Sequence, residues 1–159
     1  MKKDIYQEID ANMWNFFVCY SPVAFPLSFA IHPWIITVTP DNTIHKYQVH
    51  STQDTKNIDL GFIHVDGQAP LEGDSIFGWT SHPRYVGKIL YKISGKEHSQ
   101  AHKMVEFVHN TISAYPHKNR YRYFPGPNSN TFVQRFLNKF PELHVQLPWN
   151  AFGKNYKMD

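Results

Sequence analysis

One stretch of the chain joins two different hydrophobic patterns through a proline-rich turn. The aromatic run from Tyr121 to Phe124 predicts a short strand. Beyond Asn130, apolar side chains recur at helical spacing and predict a helix with one apolar stripe, made of Phe132, Val133, Phe136, Leu137 and Phe140. Pro125-Gly126-Pro127 forces a sharp turn between the two elements. The chain is therefore expected to pass from strand to helix at Asn128-Ser129-Asn130.

Ser129, at the start of this helix, has a structural and a functional interpretation. Asparagine and serine are preferred helix caps, because their side-chain oxygens accept the free amide hydrogens of the first turn, so either Asn128 or Ser129 would serve. The same helix end stabilises negative charge, and its free amides suit an oxyanion hole, here near Asn130. A hydroxyl is a weak acid, so Ser129 as a nucleophile requires a general base within hydrogen-bonding reach.

His32 is the candidate general base. It lies in a mostly apolar predicted strand, where an imidazole needs a partner to offset its burial. A structural histidine is the alternative. If the following hairpin pairs around Asp41-Asn42, Tyr47 lies near His32 on the same face of the sheet. A slip of one residue brings Gln48 or His50 there instead, so the residue that orients His32 stays open.

The order of predicted elements indicates a single α+β domain spanning residues 1–159. Strands are predicted at 14–20, 29–39, 43–51, 61–65 and 88–93, with turn residues between the second and third. The clearest helix ends at Pro116 and has an apolar face of Ala101, Met104, Val105, Val108, Ile112 and Tyr115. Residues 53–87 are rich in Gly, Asp, Ser and Pro and predict mostly loop, of a length that is often functional.

The charge pattern argues against a nucleic-acid partner. The net charge of +3 is modest, and the 16 Lys and Arg residues are scattered. The tightest basic cluster, Lys118, Arg120 and Arg122, alternates with other residues as on a strand with one solvated face. A phosphate-binding role is the alternative interpretation.

The cysteine count and the N-terminus bear on location. Cys19 is the only cysteine and lies in an apolar run, which predicts a buried structural thiol, compatible with a reducing cytosol. The first ten residues carry charges where a signal peptide needs an apolar stretch, and no later run is long enough to span a membrane. A cytoplasmic protein without a membrane span is therefore expected.

No metal or cofactor is predicted. His98 and His102 have the spacing of two ligands on one helix face, but the sequence offers no HExxH glutamate and no evident third ligand. The segment Gly78 to Arg84 is loop-like, and its His82 and Arg84 are interpreted as solvated in preference to anion-binding.

Three blocks of the sequence resemble one bacterial family, the domain-of-unknown-function family 3750. These blocks are His32-Pro33-Trp34-Ile35, the long ungapped stretch from Tyr121 to Val133, and Pro141 through Leu147-Pro148 to Tyr156. The resemblance covers most of the chain. The family has no established activity, so this resemblance implies a family relationship but no particular function.

A more distant resemblance concerns the helix start. Asn128-Ser129-Asn130-Thr131-Phe132 is similar to the Asn-Cys-Asn-x-Phe start in circularly permuted papain-like proteins, the NlpC-type peptidases and lecithin:retinol acyltransferase relatives. In those proteins a histidine strand precedes the nucleophile helix, as His32 precedes Ser129. The resemblance implies a small antiparallel sheet packed against two main helices, and acyl transfer through a covalent intermediate.

Serine stands here where those enzymes carry cysteine, which opens two hypotheses. The first is a cleft that has lost catalysis and binds a peptide, glycan or acyl ligand, with Asn128 and Asn130 fixing the turn and aromatic residues such as Trp34 and Tyr123 lining the groove. The second is a serine hydrolase or acyltransferase. In it Ser129 is the nucleophile, His32 the base, and Tyr47 or Gln48 the orienting residue. A purely structural partner-binding module is a third class that the sequence leaves open.

Overall fold

The computed structural model describes residues 5–24, 26–73 and 85–157. Five strands and two main helices form in this part of the chain, together with short 3₁₀ turns. In chain order they are β1 (Trp14–Pro22), β2 (Ile31–Val38), β3 (Ile44–Val49), β4 (Ile63–Val65), β5 (Lys88–Gly95), α1 (Gln100–Thr111) and α2 (Ser129–Leu137). The α+β class predicted from the sequence is confirmed. The loop at Gly78 to Arg84 lies outside the described residues.

The strands form one antiparallel sheet in the order β4-β3-β2-β1-β5. The central strand β2 is buried at all eight positions, in keeping with its mostly apolar sequence. It forms the expected hairpin with β3, in which Val38 pairs with Ile44 and Ile35 pairs with Tyr47. Thr39 N donates to Thr43 O across the turn at 3.1 Å, and Asn42 has a φ of 65°, a conformation that asparagine tolerates.

The two faces of the sheet bury separate groups of apolar side chains. The face that carries Ile31, Ile35 and Tyr47, here called the helix face, packs against α1 and α2. The opposite face carries Trp34 and Ile36, which pack with Phe17, Cys19, Val38 and the N-terminal Ile5. Because strand side chains alternate, neighbouring residues of β2 belong to different faces.

Both predicted helices form, but each ends before the residue that the sequence indicated. Helix α1 ends at Thr111 and is followed by a 3₁₀ turn at Ile112–Ala114, short of Pro116, and α2 ends at Leu137, so Phe140 lies beyond it. Ser99 caps α1 by accepting a hydrogen bond from His102 N at 3.2 Å, and the predicted apolar stripe buries Ala101, Met104, Val105 and Val108. Helix α2 begins at Ser129 and packs against β2 and β3. None of the helices in the described chain is both long and apolar enough to cross a lipid bilayer.

The strand predicted at Tyr121 to Phe124 does not form. Arg122 N donates to Pro127 O at 2.8 Å, so this segment closes a local loop in place of a ladder with another strand. The carbonyl of Pro127, in the predicted turn, thus accepts the hydrogen bond that the Arg122 amide would otherwise donate to a neighbouring strand. Tyr123 and Phe124 are exposed on this loop.

The C-terminal segment wraps around α2 and completes the helix side of the fold. Leu147 N donates to Gln134 Oε1 at 2.9 Å, and Thr131 Oγ1 donates to Gly153 O at 2.7 Å. Leu147 and Ala151 are buried in the core beneath the helix face. These contacts hold Phe152 beside the first turn of α2.

Candidate functional site

Asn128, and not Ser129, caps helix α2. Its side-chain oxygen accepts hydrogen bonds from Asn130 N at 2.9 Å and Thr131 N at 3.2 Å, while Thr131 Oγ1 accepts one from Asn128 N at 3.2 Å. This reciprocal arrangement is a capping box. The Ser129 hydroxyl forms no hydrogen bond with any residue that the structure describes. Ser129 is therefore not needed to begin the helix.

Asn128 and Asn130 also attach the helix start to two distant loops. Asn128 Nδ2 donates to Tyr123 O at 2.9 Å and to Phe152 O at 3.0 Å, and Asn130 Nδ2 donates to Phe152 O at 2.8 Å. Gly153 has a φ of +90°, and a Cβ there would lie 2.5 Å from Asn128 Nδ2. Only glycine fits this close approach.

A cavity of about 350 Å³ lies directly at this helix start. Ser129, Asn130 and Asn128 form its polar floor, and His32 contributes to its wall. No Asp, Glu, Lys or Arg occurs among the described residues that line it. The rest of the wall is mostly apolar or aromatic, formed by Val23, Leu27, Phe29, Ala30, Ile31, Tyr121, Tyr123, Phe124 and Phe152.

Two polar atoms on the floor have no hydrogen-bond partner within the described chain. Asn130 Oδ1 is buried and accepts no hydrogen bond from the described part of the chain. The Ser129 hydroxyl lies beside it on the same floor, also without a partner among the described residues. Buried polar atoms are almost always paired, so the open Asn130 Oδ1 at the base of a cavity is a candidate contact for a ligand. The N-terminus of α2 adds a partial positive charge there.

His32 lines the same cavity as Ser129 but does not bond to it. By strand alternation its side chain belongs to the face opposite the helices, where its ring centroid lies 5.9 Å from Trp34 and 5.2 Å from His50. Within the described residues no hydrogen bond joins Ser129 to His32. The structure thus brings the two residues to one cavity without forming the nucleophile–base contact.

The residues expected to orient His32 are placed differently. Tyr47 pairs with Ile35 and lies on the helix face, 5.7 Å from the His109 ring, where burial raises its pKa above the ordinary range. Gln48 lies on the same face as His32, and its Nε2 donates to Gln68 Oε1 at 3.0 Å. His50, which the sequence left as the third possibility, is the residue that stacks on His32. Tyr47 is therefore separated from His32 by the sheet.

Of the four predicted binding residues, three line the cavity and one does not. Asn128, Asn130 and Tyr123 line it, whereas Trp34 is fully buried on the opposite face of the sheet. Trp34 Nε1 donates to Pro70 O at 2.9 Å, and the Lys46 ammonium lies 4.4 Å from the centroid of its ring. Trp34 is a core residue because the loop after β4 covers it.

Sequence reasoning missed Phe29 and Phe152 as parts of the site. Both are cavity residues, and their rings meet edge to face with centroids 5.8 Å apart. Phe29 was assigned to the start of the predicted strand 29–39, whereas β2 begins at Ile31, and Phe152 lies in a segment without periodicity, so no hydrophobic pattern marked either residue as part of a cavity. The one local signal was the glycine directly after Phe152, Gly153.

Of the two histidines predicted on one helix face, only His102 lies in α1, because the helix begins after its cap Ser99 and His98 precedes it with a φ of 64°. His102 Nδ1 accepts a hydrogen bond from His98 N at 3.0 Å, and its ring stacks on Trp14 with centroids 4.1 Å apart. His102 Nε2 lies 3.3 Å from Glu106 Oε1. Among the residues described, no group of three potential ligands could hold a metal ion.

Fold and site together define a class of protein: a single antiparallel sheet with two helices on one face and a ligand-sized cavity at the start of the second helix. The chain belongs to the family described as protein of unknown function (DUF3750), whose model matches residues 16–156. No curated protein and no solved structure matches the chain.

Proposed function

We propose that this protein binds a ligand with an apolar segment and a polar end in the cavity at the start of α2. The observation that carries the proposal is the floor of the cavity, where the Ser129 hydroxyl and Asn130 Oδ1 have no partner in the described chain. Ligand sites commonly combine an apolar wall with a few such polar groups, which fix the orientation of the ligand.

The chemistry of the wall favours an acyl ligand over a glycan or a charged peptide. A glycan needs many hydrogen-bonding side chains, and a charged peptide needs opposite charges, whereas the described wall carries no Asp, Glu, Lys or Arg. An acyl chain needs only the apolar wall. Its polar end would meet the hydroxyl and amide of Ser129 and Asn130 and the positive end of the helix.

The proposal is tested with a dansyl-labelled undecanoic acid, whose fluorescence rises in an apolar site. We expect saturable enhancement with the full chain. Ala30→Trp, which places a large ring in the cavity wall, is expected to abolish it. Ala114→Trp is the matched control, because Ala114 is exposed and is not among the residues that line the cavity. Equal enhancement by both variants would show that the probe binds elsewhere.

A second candidate function is serine-dependent acyl transfer in a permuted papain-like arrangement. Its support is that Ser129 and His32 line one cavity, and that a histidine strand precedes the nucleophile helix on an antiparallel sheet. Because the His32 side chain belongs to the sheet face opposite the helices, this scheme requires its ring to turn into the cavity that it shares with Ser129. Ser129 Oγ then bonds to the acyl carbon, His32 takes the hydroxyl proton and returns it to the leaving group, and water releases the acyl group. The amides of the first helical turn would stabilise the oxyanion.

A fluorophosphonate probe separates the two functions, since it labels activated serines covalently. Intact mass is measured for the wild type, Ser129→Ala, His32→Ala and the exposed-site control Ser113→Ala. The binding proposal expects no adduct, because no base is hydrogen-bonded to Ser129 within the described chain. An adduct that both Ser129→Ala and His32→Ala remove, and Ser113→Ala keeps, would establish the enzyme instead.

The cytoplasm stays the proposed location, compatible with the free thiol of Cys19.

A further inference from the structure

The mouth of the cavity is surrounded by exposed apolar side chains. Seven large apolar residues of the described chain are exposed. Four of them line the cavity, and a fifth, Trp149, packs on the cavity residue Phe152, whereas Tyr6 and Ile58 do not line it. These five form what is here called the rim: Leu27, Phe29, Tyr123, Phe124 and Trp149. Exposed apolar groups of this kind mark surfaces that meet a partner or a membrane.

The rim is one continuous surface made by three separate parts of the chain. Four of its members line the cavity itself, and Trp149 packs edge to face on the cavity residue Phe152 with centroids 6.5 Å apart. Asn150 Nδ2 donates to Phe29 O at 3.0 Å and joins the C-terminal segment to the loop before β2. The cavity therefore opens through the rim.

The charges of the segments that build the rim have one sign. Residues 11–40 contain no Asp, Glu, Lys or Arg, and residues 107–141 and 143–158 contain no Asp or Glu. The basic residues in those segments are Lys118, Arg120, Arg122, Arg135, Lys139, Lys154 and Lys157. The intervening Glu142 contacts Gln100, next to the N-terminus of α1. The modest net charge of the whole chain conceals this local excess of positive charge.

A basic depression continues from the rim. Phe124 and Phe152 are shared by the cavity and a neighbouring depression, and that depression shares Lys154 and Tyr156 with a third one of about 330 Å³. The third depression is lined by Arg135, Lys139 and Lys154 together with neutral residues. Apolar and cationic surfaces are therefore adjacent on this part of the molecule.

We propose that the rim and its basic neighbours form a docking surface for an anionic lipid bilayer, with the cavity opening toward the membrane. Aromatic side chains suit the boundary between headgroups and acyl chains, and Lys and Arg are attracted to anionic headgroups. A second copy of the chain fits this surface poorly, because a symmetric contact would bring two basic surfaces together. The inference rests on the rim and its charges, so it stands or falls separately from ligand binding in the cavity.

Sedimentation with lipid vesicles tests the docking surface. The full chain is mixed with vesicles of phosphatidylcholine alone, or of phosphatidylcholine with about one third phosphatidylglycerol. We expect the protein to sediment with the anionic vesicles, and raised salt to weaken the binding through screening. Phe124→Ser and Trp149→Ser are each expected to lower vesicle affinity by about tenfold or more. Arg122→Gln is expected to lower it roughly fivefold.

Two matched controls keep the test specific. Ile58 is 78% exposed, comparable to Phe124 at 74% and Trp149 at 80%, and lies outside the rim, so Ile58→Ser should bind like the wild type. Lys103→Gln, on the exposed side of α1, controls for Arg122→Gln. The proposal is overturned if the protein ignores anionic vesicles, or if the control variants lose as much affinity as the rim variants. A dimer in solution that Phe124→Ser dissociates would equally overturn it, since a second copy would then cover the rim.

Discussion

Replacing Asn128 with alanine should destabilise the fold more than almost any other polar substitution near the cavity. The change removes the cap of α2, which is worth about 1 kcal/mol. It also removes the two hydrogen bonds from Nδ2 to Tyr123 O and Phe152 O, each worth about 1 kcal/mol. The free energy of unfolding should therefore fall by about 3 kcal/mol, a large share of the stability of an ordinary domain.

A serine at the same position separates the two contributions. Asn128→Ser keeps an oxygen able to cap the helix but has no amide to reach the two carbonyls, so its cost should be about 2 kcal/mol. Urea denaturation followed by circular dichroism measures both. With an m-value of about 2 kcal/mol/M, the midpoints should fall by about 1.5 M for alanine and about 1 M for serine.

Asn110→Ala is the control for this pair. Asn110 is exposed on α1, so its replacement should change the free energy of unfolding by no more than about 0.5 kcal/mol. A loss below about 1 kcal/mol for Asn128→Ala would refute the assignment of the cap and the two loop contacts to this side chain. Equal losses for the alanine and serine variants would refute the cap alone.

Three further predictions concern backbone fit, pH and thiol chemistry. Gly153→Ala should lower the urea midpoint, because the added Cβ would lie 2.5 Å from Asn128 Nδ2 at a φ of +90°. Burial, followed by nearby positive charge, lowers the pKa of His109 and His117, so the unfolded chain takes up protons first as pH falls below about 6.5. The free energy of unfolding, measured by urea titration, should then be lower at pH 5.5 than at pH 7.5. Replacing both histidines with glutamine should reduce this difference. If the double variant shows the same pH dependence as the wild type, the direction of the pKa shifts is wrong. Burial raises the pKa of Cys19 to about 12, so a thiol reagent should react with the protein only after unfolding, at a rate that follows urea concentration.

The sequence predicted those parts of the fold that local signals determine. Helix α2 begins where Asn128 and the helical spacing of the apolar residues indicated, and the β2–β3 hairpin forms at its predicted turn. These features depend on residues within a few positions of one another, so a single sequence contains the information needed to predict them. The predicted strand at Tyr121 to Phe124 does not form, because the Arg122 amide donates its hydrogen bond to Pro127 O and not to a neighbouring strand. The hydrophobic pattern of the sequence carries no information about this local hydrogen bond.

The site was harder to predict, because it depends on which face each strand residue occupies and on distant loops. The register places Tyr47 with Ile35 and leaves His32 beside His50; a shift of one residue would have exchanged the faces. Trp34 was predicted to line the groove because it is aromatic, but the loop that contains Pro70 covers it. Only the three consecutive polar residues at the start of α2 combined a local signal with a place on the cavity floor.

The cavity and the folded core depend on the same contacts. Phe152 is part of the cavity wall, and its carbonyl is the acceptor for both Asn128 and Asn130, so the floor exists only when the C-terminal segment has docked on α2. A ligand of this cavity must therefore bind the native state and not the unfolded chain. At a concentration about 100 times its Kd it would raise the free energy of unfolding by about 2.7 kcal/mol, close to the cost expected for Asn128→Ala. A compound that raises the urea midpoint of the wild type, but not of Ala30→Trp, is thus identified as a cavity ligand without any assumption about catalysis.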